Sequence, residues 1–590
     1  MTENTTQPNH NRYWRIQPKI PHDIDLALRD FPPLLRQLLY NRGIFNAESA
    51  ASFINGELPF SNDPFQIKDM HTAVERIHTA IFAGEKIAIY GDYDADGVTA
   101  TALMFNFLHS LAVEPLIYIP NRFDEGYGLN EEAIHYLVEM SIDLIITVDC
   151  GIRSISEVTL AKDLGMDMII TDHHQPGKEL PPALAVINPK QLGDPYPEKD
   201  LAGVGLAYKL AQAYLTAHPQ PDVDPEDWLD LVAIGTVADM APLTGENRML
   251  VKKGLTHIRQ RPRLGLNLMA RVAGLDLTRC DASMIGFGLA PRLNAAGRMD
   301  TAMSAYEILV TQDQQRAGEL AQVLDSHNNQ RQEETHTIRK KALDQVLQKD
   351  PEALLFFATD SSFSEGLVGL AASRLTDIYY RPAIIAHQGE EFTVASCRSI
   401  PEFHITEALD ECADLLVRYG GHAAAAGFTV SNENLPMLIE KLDAIVQREL
   451  DGVDLMPVIE IDREILLEKL TSSYIGGIFN DLHQLQPTGI GNPEPIFASN
   501  NVIVHQVRTV GQDGKHLKLT IKAGDNYFDA IAFQQGHRAE GMPRTIDIAY
   551  RFEENVYMGR TNLQLNIKDF RSTLPLEEKD ISENDSSLSN

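Results

Sequence analysis

Apolar and polar positions alternate on two different periods along this chain, and the period changes with position. Near the start, short helical stripes at Leu34–Leu39 and Ala47–Ile54 predict a small helical cap within residues 1–59, after a polar disordered start at residues 1–12. An amphipathic stretch over about 68–83 predicts a helix. The run KIAIYGDYDADG then reads as a buried strand that stops at Asp92. A helix through TATALMFNFLHSL, a strand in PLIYIP and a helix around Glu131–Met140 follow. Next come the strand of DLIITVDCG, a helix near Ser156–Leu164 and the strand of DMIITDHH. Continuous apolar strands alternating with amphipathic helices predict an α/β fold with a doubly wound parallel sheet. Such sheets bind ligands beyond the C-terminal ends of their strands.

The pattern changes again at about residue 311. Residues 311–350 are polar, helix-forming and almost free of glycine, which predicts one long connecting helix. A second α/β lobe spans 351–455, from ALLFFATD through RPAIIAHQ and FTVASCRS to a helix at LPMLIEKLDAIVQREL. Within 456–572, five short strands suit a β-barrel of OB type. Residues 573–590 are acidic and serine-rich and read as a disordered tail. Residues 60–310 form the first lobe. The expected architecture is therefore two α/β lobes joined by a long helix, with a C-terminal barrel.

Composition narrows the class. At 590 residues and 44% hydrophobic, the chain can build several cores. It has no apolar run of about 18 residues and no apolar leader at its N-terminus, so a cytoplasmic, non-membrane protein is expected. Cys150, Cys280, Cys397 and Cys412 have no paired spacing, which argues against a zinc cluster or disulfide framework. The net charge of −32 at first opposes nucleic-acid binding. Metal-bound carboxylates and a basic channel screened from an acidic exterior both weaken that objection.

Four segments carry candidate chemistry, each at the end of an apolar run. Asp92, Asp94 and Asp96 alternate in GDYDADG, so an extended backbone points all three one way. A solvated acidic turn is the plainer alternative. Asp149 closes IITVDCG, where a helix cap is the alternative. Asp172, His173 and His174 close MIITDHH, and adjacent histidines on a bend can serve different partners. Asp239 sits in apolar DLVAIGTVADMAPL, where an unpaired carboxylate is unfavourable. Carboxylates with one imidazole suit two ions of Mg²⁺ or Mn²⁺, the histidine favouring Mn²⁺.

These segments resemble the DHH phosphoesterase superfamily, named for the Asp172–His173–His174 sequence. NRFDEGYGLN, LAGVGLAYKL, GTVADMAPL, APRLNAAGRM, CRSI and GGHAAAAGF extend the resemblance, over about residues 60–570, to the bacterial RecJ exonuclease family. The resemblance implies DHH, DHHA1 and OB-fold domains and two-metal hydrolysis of single-stranded DNA from 5′ to 3′ to mononucleotides, in recombination and repair. It implies Asp94 on one metal, Asp96 on the other, Asp149 bridging, and His173 and Asp239 completing the second site. His174 would touch the scissile phosphate, while Asp92 and Asp172 would orient ligands, either being able to reach a metal. The nucleophile would be a water between the ions. Substrate contacts would fall to Arg122, Asn294, Arg298, Arg398, Ser399, and the Gly420–Gly421–His422 motif, for which a tight helix-entry turn is the plainer alternative. Single-strand-binding protein and a RecQ-type helicase are expected partners, and a monomer is expected.

Arg508, Lys515, His516, Lys518 and Lys522 with Tyr527, Phe528 and Phe533 could stack a single strand on the barrel. Barrel core plus a solvated face is the alternative. Arg259, Arg261 and Arg263 could line a channel. Relatives that cleave dinucleotides or pyrophosphate, and metal-free replication scaffolds, are the competing functions. Length and barrel argue against the first, and the full set of candidate ligands against the second.

Overall fold

The computed structural model describes residues 12–573 except 59–60, 123–124, 127 and 558–559. The expected disordered start and acidic tail fall almost wholly outside the described residues, as do Phe123, Asp124 and Tyr127 of NRFDEGYGLN. The chain divides into two compact units. One holds Asn55–Pro457 with Pro487–Pro493; the other holds Arg12–Ile54, Val458–Gln486 and the chain from Glu494 onward.

The first unit opens with a five-stranded, fully parallel sheet. Its order is Leu116–Tyr118, Ile87–Tyr90, Leu144–Val148, Asp167–Thr171, Ala185–Ile187. Alternate residues of each strand feed separate cores. Ile87, Ile89, Leu144, Ile146 and Val148 pack on one face, and Ala88, Tyr90, Ile145 and Ile170 on the other. Burial on both faces is why these strands read as unbroken apolar runs. The chain leaves Ile87–Tyr90 towards one edge and returns to place Leu144–Val148 on its other side. The point where winding reverses lies between these two strands, beyond whose C-terminal ends stand Asp92 and Asp149. The three-residue strand Ala185–Ile187 was too short to show a period in the sequence.

The long helix runs Gln314–Lys349, 36 residues, about 54 Å at the usual rise. The Asp313 carboxylate caps it, accepting from the Gln315 and Arg316 N–H groups at 2.8 and 3.2 Å. Its N-terminal half buries Leu320, Ala321 and Leu324 in the first lobe's core. Its C-terminal half buries Ile338, Ala342 and Val346 in the second lobe's core. That lobe is a mixed sheet, in the order Leu416–His422, Ala425–Ser431, Phe392–Arg398, Ala383–Gln388, Phe356–Asp360, with only the last pair parallel. Gly420–Gly421–His422 is not a helix entry but the edge strand of a hairpin. Gly421 at φ 153° faces Ala426, and a Cβ there would come within 2.3 Å of the Ala425 carbonyl oxygen.

In the second unit, strands Phe497–Val510, His516–Ala523, Asn526–Ala532, Arg560–Ser572 and Thr545–Tyr557 close through pairing of the first with the last. The closed five-stranded barrel fits the OB expectation. The N-terminal helices are not a separate cap. Leu28, Leu34, Leu35, Leu38 and Leu39 are buried in one core with Phe497, Leu519, Ile548 and Leu565 of the barrel. Strand Tyr13–Ile16 also pairs in parallel with Val458–Ile461. An apolar helical stripe announces that it is covered, not by what.

Leu38→Ala is therefore expected to destabilise the barrel unit by about 2–5 kcal/mol. Scanning calorimetry should show its transition fall while that of the first unit stays in place. A shift confined to the first unit would contradict the shared core.

Candidate metal centre

The site begins with backbone constraints. After strand Ile87–Tyr90 the chain turns directly into helix Ala95–Ser110. Asp94 caps that helix, its Oδ1 accepting from the Asp96 and Gly97 N–H groups at 2.9 and 3.1 Å. The carboxylate of Asp96 accepts from the N–H groups of Gly203 and Val204 at 2.7 and 2.9 Å, at the start of helix Gly203–Ala217. The N-terminal dipole of that helix favours a negative charge. Asp149 takes a left-handed conformation at φ 63°, unusual for a residue with a side chain. Its carboxylate lies against Gly203, where a Cβ would come within 2.5 Å of Oδ1. Asp239 follows the C-terminal end of helix Leu229–Ala238.

These turns bring together three groups of donors, each with its ligand atoms within 4.8 Å of one another: Asp92, Asp94 and Asp149; Asp96, His173 and Asp239; and Asp149, His173 and His174. Asp149 and His173 are each shared between two of these groups. Asp92, read from the sequence chiefly as an orienting residue, stands among the donors themselves. Asp172 instead faces backwards. Its carboxylate contacts His174 Nδ1 at 2.8 Å and accepts from the Ile152 and His174 N–H groups at 2.9 and 3.0 Å.

The donor set fits divalent cations on physical grounds. Asp92 Oδ1, Asp149 Oδ1 and His173 Nε2 are buried yet have no hydrogen-bond partner. His173 Nε2 and Asp149 Oδ1 are 3.1 Å apart but out of line for a bond. Buried polar atoms left this way are strongly unfavourable unless a ligand satisfies them. Burial and mutual repulsion raise the carboxyl groups: Asp92 to about 8, beside Asp94; Asp96 to about 7, beside Asp239; Asp239 to about 7, beside Asp94. Asp149 rises well above the usual range, by burial and then by Asp96 and Asp94. Burial lowers His173, keeping its imidazole neutral and able to ligate. Burial also opposes charging of His174, but its bond to Asp172 outweighs this and raises it.

The expected substrate residues divide. The Arg122 guanidinium lies 5.0 Å above the ring of Tyr93, within GDYDADG. Arg298 donates to the Gly366 carbonyl at 2.9 Å in the first turn of helix Glu365–Tyr379, joining the first lobe to the second. Burial, then the nearby charges of Arg122 and Arg331, lower it to about 10. Arg398 packs by Gly369 of the same helix and donates to Ser396 Oγ at 3.2 Å.

The Ser399 hydroxyl donates to the Phe403 carbonyl at 2.6 Å, and the Ser396 hydroxyl accepts from Arg398 at 3.2 Å. Strand alternation, which puts 396 and 398 on one face, could have identified it. Asn294 Oδ1 accepts from the Ala95 N–H at 2.8 Å, so its carbonyl oxygen holds the aspartate loop. His422 is exposed on the hairpin edge.

Arg259 donates to the Cys280 carbonyl at 2.7 Å, and Arg263 pairs with Asp230 at 2.6 Å. On the barrel, Phe528 is core, while Tyr527 and Phe533 are exposed. Arg508 and Lys518 pair across adjacent strands and line a cavity of about 470 Å³ with Gln506, Thr520 and Asp529. Sequence reading missed Asn188 and Lys190. Asn188 Nδ2 donates to the His174 carbonyl at 2.9 Å, and Lys190 adds positive charge near His173 and Asp239. Their signal was faint: INPK follows an apolar strand of three residues.

Comparison with known proteins agrees with this anatomy. Residues 86–236 match the DHH family N-terminal domain, 352–448 the DHHA1 domain, and 461–569 the RecJ OB domain. The single-stranded-DNA-specific exonuclease RecJ of Bacillus subtilis is 41% identical, covering 91% of this chain and 68% of that protein. The Escherichia coli protein of the same name is 34% identical, with 91% and 96% covered. The crystal structure of RecJ from Thermus thermophilus in complex with Mn²⁺ superposes with a TM-score of 0.81. Its sequence is 31% identical, and the match covers 96% of this chain and 80% of that one.

Asp149→Ala should remove most Mn²⁺ binding in calorimetry while leaving far-UV circular dichroism unchanged. Wild-type binding by this variant would sink the bridging position. Metal must also displace protons from the raised carboxyl groups. Without metal, these groups hold protons in the folded chain that the unfolded chain releases above its ordinary range, so stability falls as pH rises from about 4 to 8. Mn²⁺ affinity, and the rise in Tm on adding Mn²⁺, should therefore both increase from pH 6 to pH 8. A flat profile would contradict the proton competition.

Proposed function

The chain belongs to the RecJ family of single-stranded-DNA-specific exonucleases, and from that premise we propose that it degrades single-stranded DNA by two-metal hydrolysis, releasing mononucleotides from the 5′ end. The observation that carries this reading is the convergence of Asp92, Asp94, Asp96, His173 and Asp239 around a shared Asp149 at the sheet's switch point. Asp92, Asp94 and Asp149 would hold one ion, and Asp96, His173 and Asp239, with Asp149 shared, would hold the other. Bound Mn²⁺ or Mg²⁺ acidifies water and offsets the charge that develops on a phosphate under attack.

The chain's own residues orient that chemistry. Asp172 fixes the ring of His174, which would contact the scissile phosphate. With its charge favoured by Asp172, the imidazolium can hydrogen-bond an oxygen that gains charge during cleavage. Asn294 and the N-terminus of helix Gly203–Ala217 keep the aspartates in place. Arg298, Arg398 and Ser396 surround the first turns of helix Glu365–Tyr379. Arginines beside a helix N-terminus suit a terminal phosphate, which supports recognition of the 5′ end. Gly421 and His422 add contacts from the hairpin edge.

Family membership further supports action in recombination and repair as a cytoplasmic monomer, alongside single-strand-binding protein and a RecQ-type helicase. Among the described residues no helix is long and apolar enough to cross a membrane.

A 5′-labelled single strand, a duplex and a dinucleotide, each incubated with Mn²⁺, test the reading. Labelled mononucleotide should appear at once from the single strand, with little cleavage of the duplex. Cleavage of the dinucleotide alone would overturn the exonuclease assignment, and loss of a 3′ label first would overturn the polarity.

A further inference from the structure

The inner face of the long helix Gln314–Lys349 changes character midway. Leu320, Ala321 and Leu324 bury into the first lobe, and Ile338, Ala342 and Val346 into the second. Between them the same side of the helix turns polar. His327, Arg331 and Thr335, one turn apart at i, i+4 and i+8, are half-buried. Each carries a buried polar atom without a hydrogen-bond partner: His327 Nδ1, Arg331 Nε and Thr335 Oγ1. Each step along this row is about 6 Å. An apolar row would have been the simpler way to join two cores, so three successive orphaned donors or acceptors need a ligand.

Charge indicates its sign. Arg331 stands beside Arg374 and Arg292, and Arg298 feels the charges of both Arg331 and Arg122. Five arginines from the first lobe, the long helix and helix Glu365–Tyr379 thus lie within reach of one another's charge, with Arg298 also near Asp94. The acids among them are few. Asp325 is bound to Arg292 at 2.8 Å, and Asp377 lies beside Arg374. Arg331 is held by Asn328, to whose Oδ1 it donates at 2.9 Å, and it has no carboxylate partner within 4 Å among the described ion pairs. Packing guanidinium groups together without counter-charge is unfavourable, and a polyanion between the lobes removes that cost.

We propose that Arg331, aided by Thr335 and His327, binds a backbone phosphate of the substrate strand between the lobes, so that the connecting helix is part of the DNA site. This rests on the exonuclease reading above. The contact is to phosphate and carries no base preference.

Arg331→Met keeps the aliphatic stem and removes the charge, and Arg331→Lys restores the charge alone. Cleavage of a 5′-phosphorylated oligothymidylate with Mn²⁺ is measured from 50 to 250 mM salt, with the Tm of each variant recorded. Arg331→Met should raise KM roughly tenfold at moderate salt, with kcat changing less. The slope of log(1/KM) against log salt should become shallower by about 0.7, the loss of one single-strand phosphate contact. Arg331→Lys should recover most of both. An unchanged slope, or a loss that follows Tm and is not rescued by lysine, would overturn the proposal. If the wild-type protein fails to cut single strands, the exonuclease reading fails first and separately.

Discussion

Everything in the catalytic unit is arranged around a concentration of buried negative charge. Five aspartates and a neutral histidine converge where the parallel sheet reverses its winding. Without cations this arrangement is strongly unfavourable, and the raised carboxyl groups express that cost as retained protons. The backbone accepts further strain at the centre, since Asp149 is left-handed and fits only because residue 203 is glycine. A fold that bears such costs holds its ligands for the metals rather than for itself.

The surroundings are consistent with that priority. Helix N-termini, the Asn294 carbonyl oxygen and Asp172 hold the site's residues in place through hydrogen bonds. The two lobes are tied by a polar bond, Arg298 to the Gly366 carbonyl, and by one helix shared between their cores. A shared helix fixes the distance between lobes better than a loop does, because each half is anchored by its own apolar stripe.

Net charge proves a poor guide to the ligand here. A chain at −32 concentrates Arg122, Arg298, Arg331, Arg374 and Arg292 in one lobe–lobe region. Exposed charges more than about 10 Å apart are largely screened, so the local arginines dominate what a bound strand experiences. Acidic residues elsewhere keep the chain soluble without opposing that contact.

The amino-acid sequence by itself determined the elements and the ligand types. Unbroken apolar runs ending in aspartate placed Asp94, Asp149, Asp172 and Asp239 at strand or helix ends, because period and punctuation are local properties of the chain. The long helix, the barrel strands and the apolar stripe of the N-terminal helices were legible for the same reason. What only the tertiary structure decided is which surfaces meet. Asp92 stands close to Asp94 and Asp149, Ser396 lies beside Arg398, the N-terminal helices cover the barrel, and Arg331 faces other arginines. Each of these depends on contacts between residues tens to hundreds of positions apart, and a one-dimensional pattern carries the burial of a residue but not the identity of its neighbour.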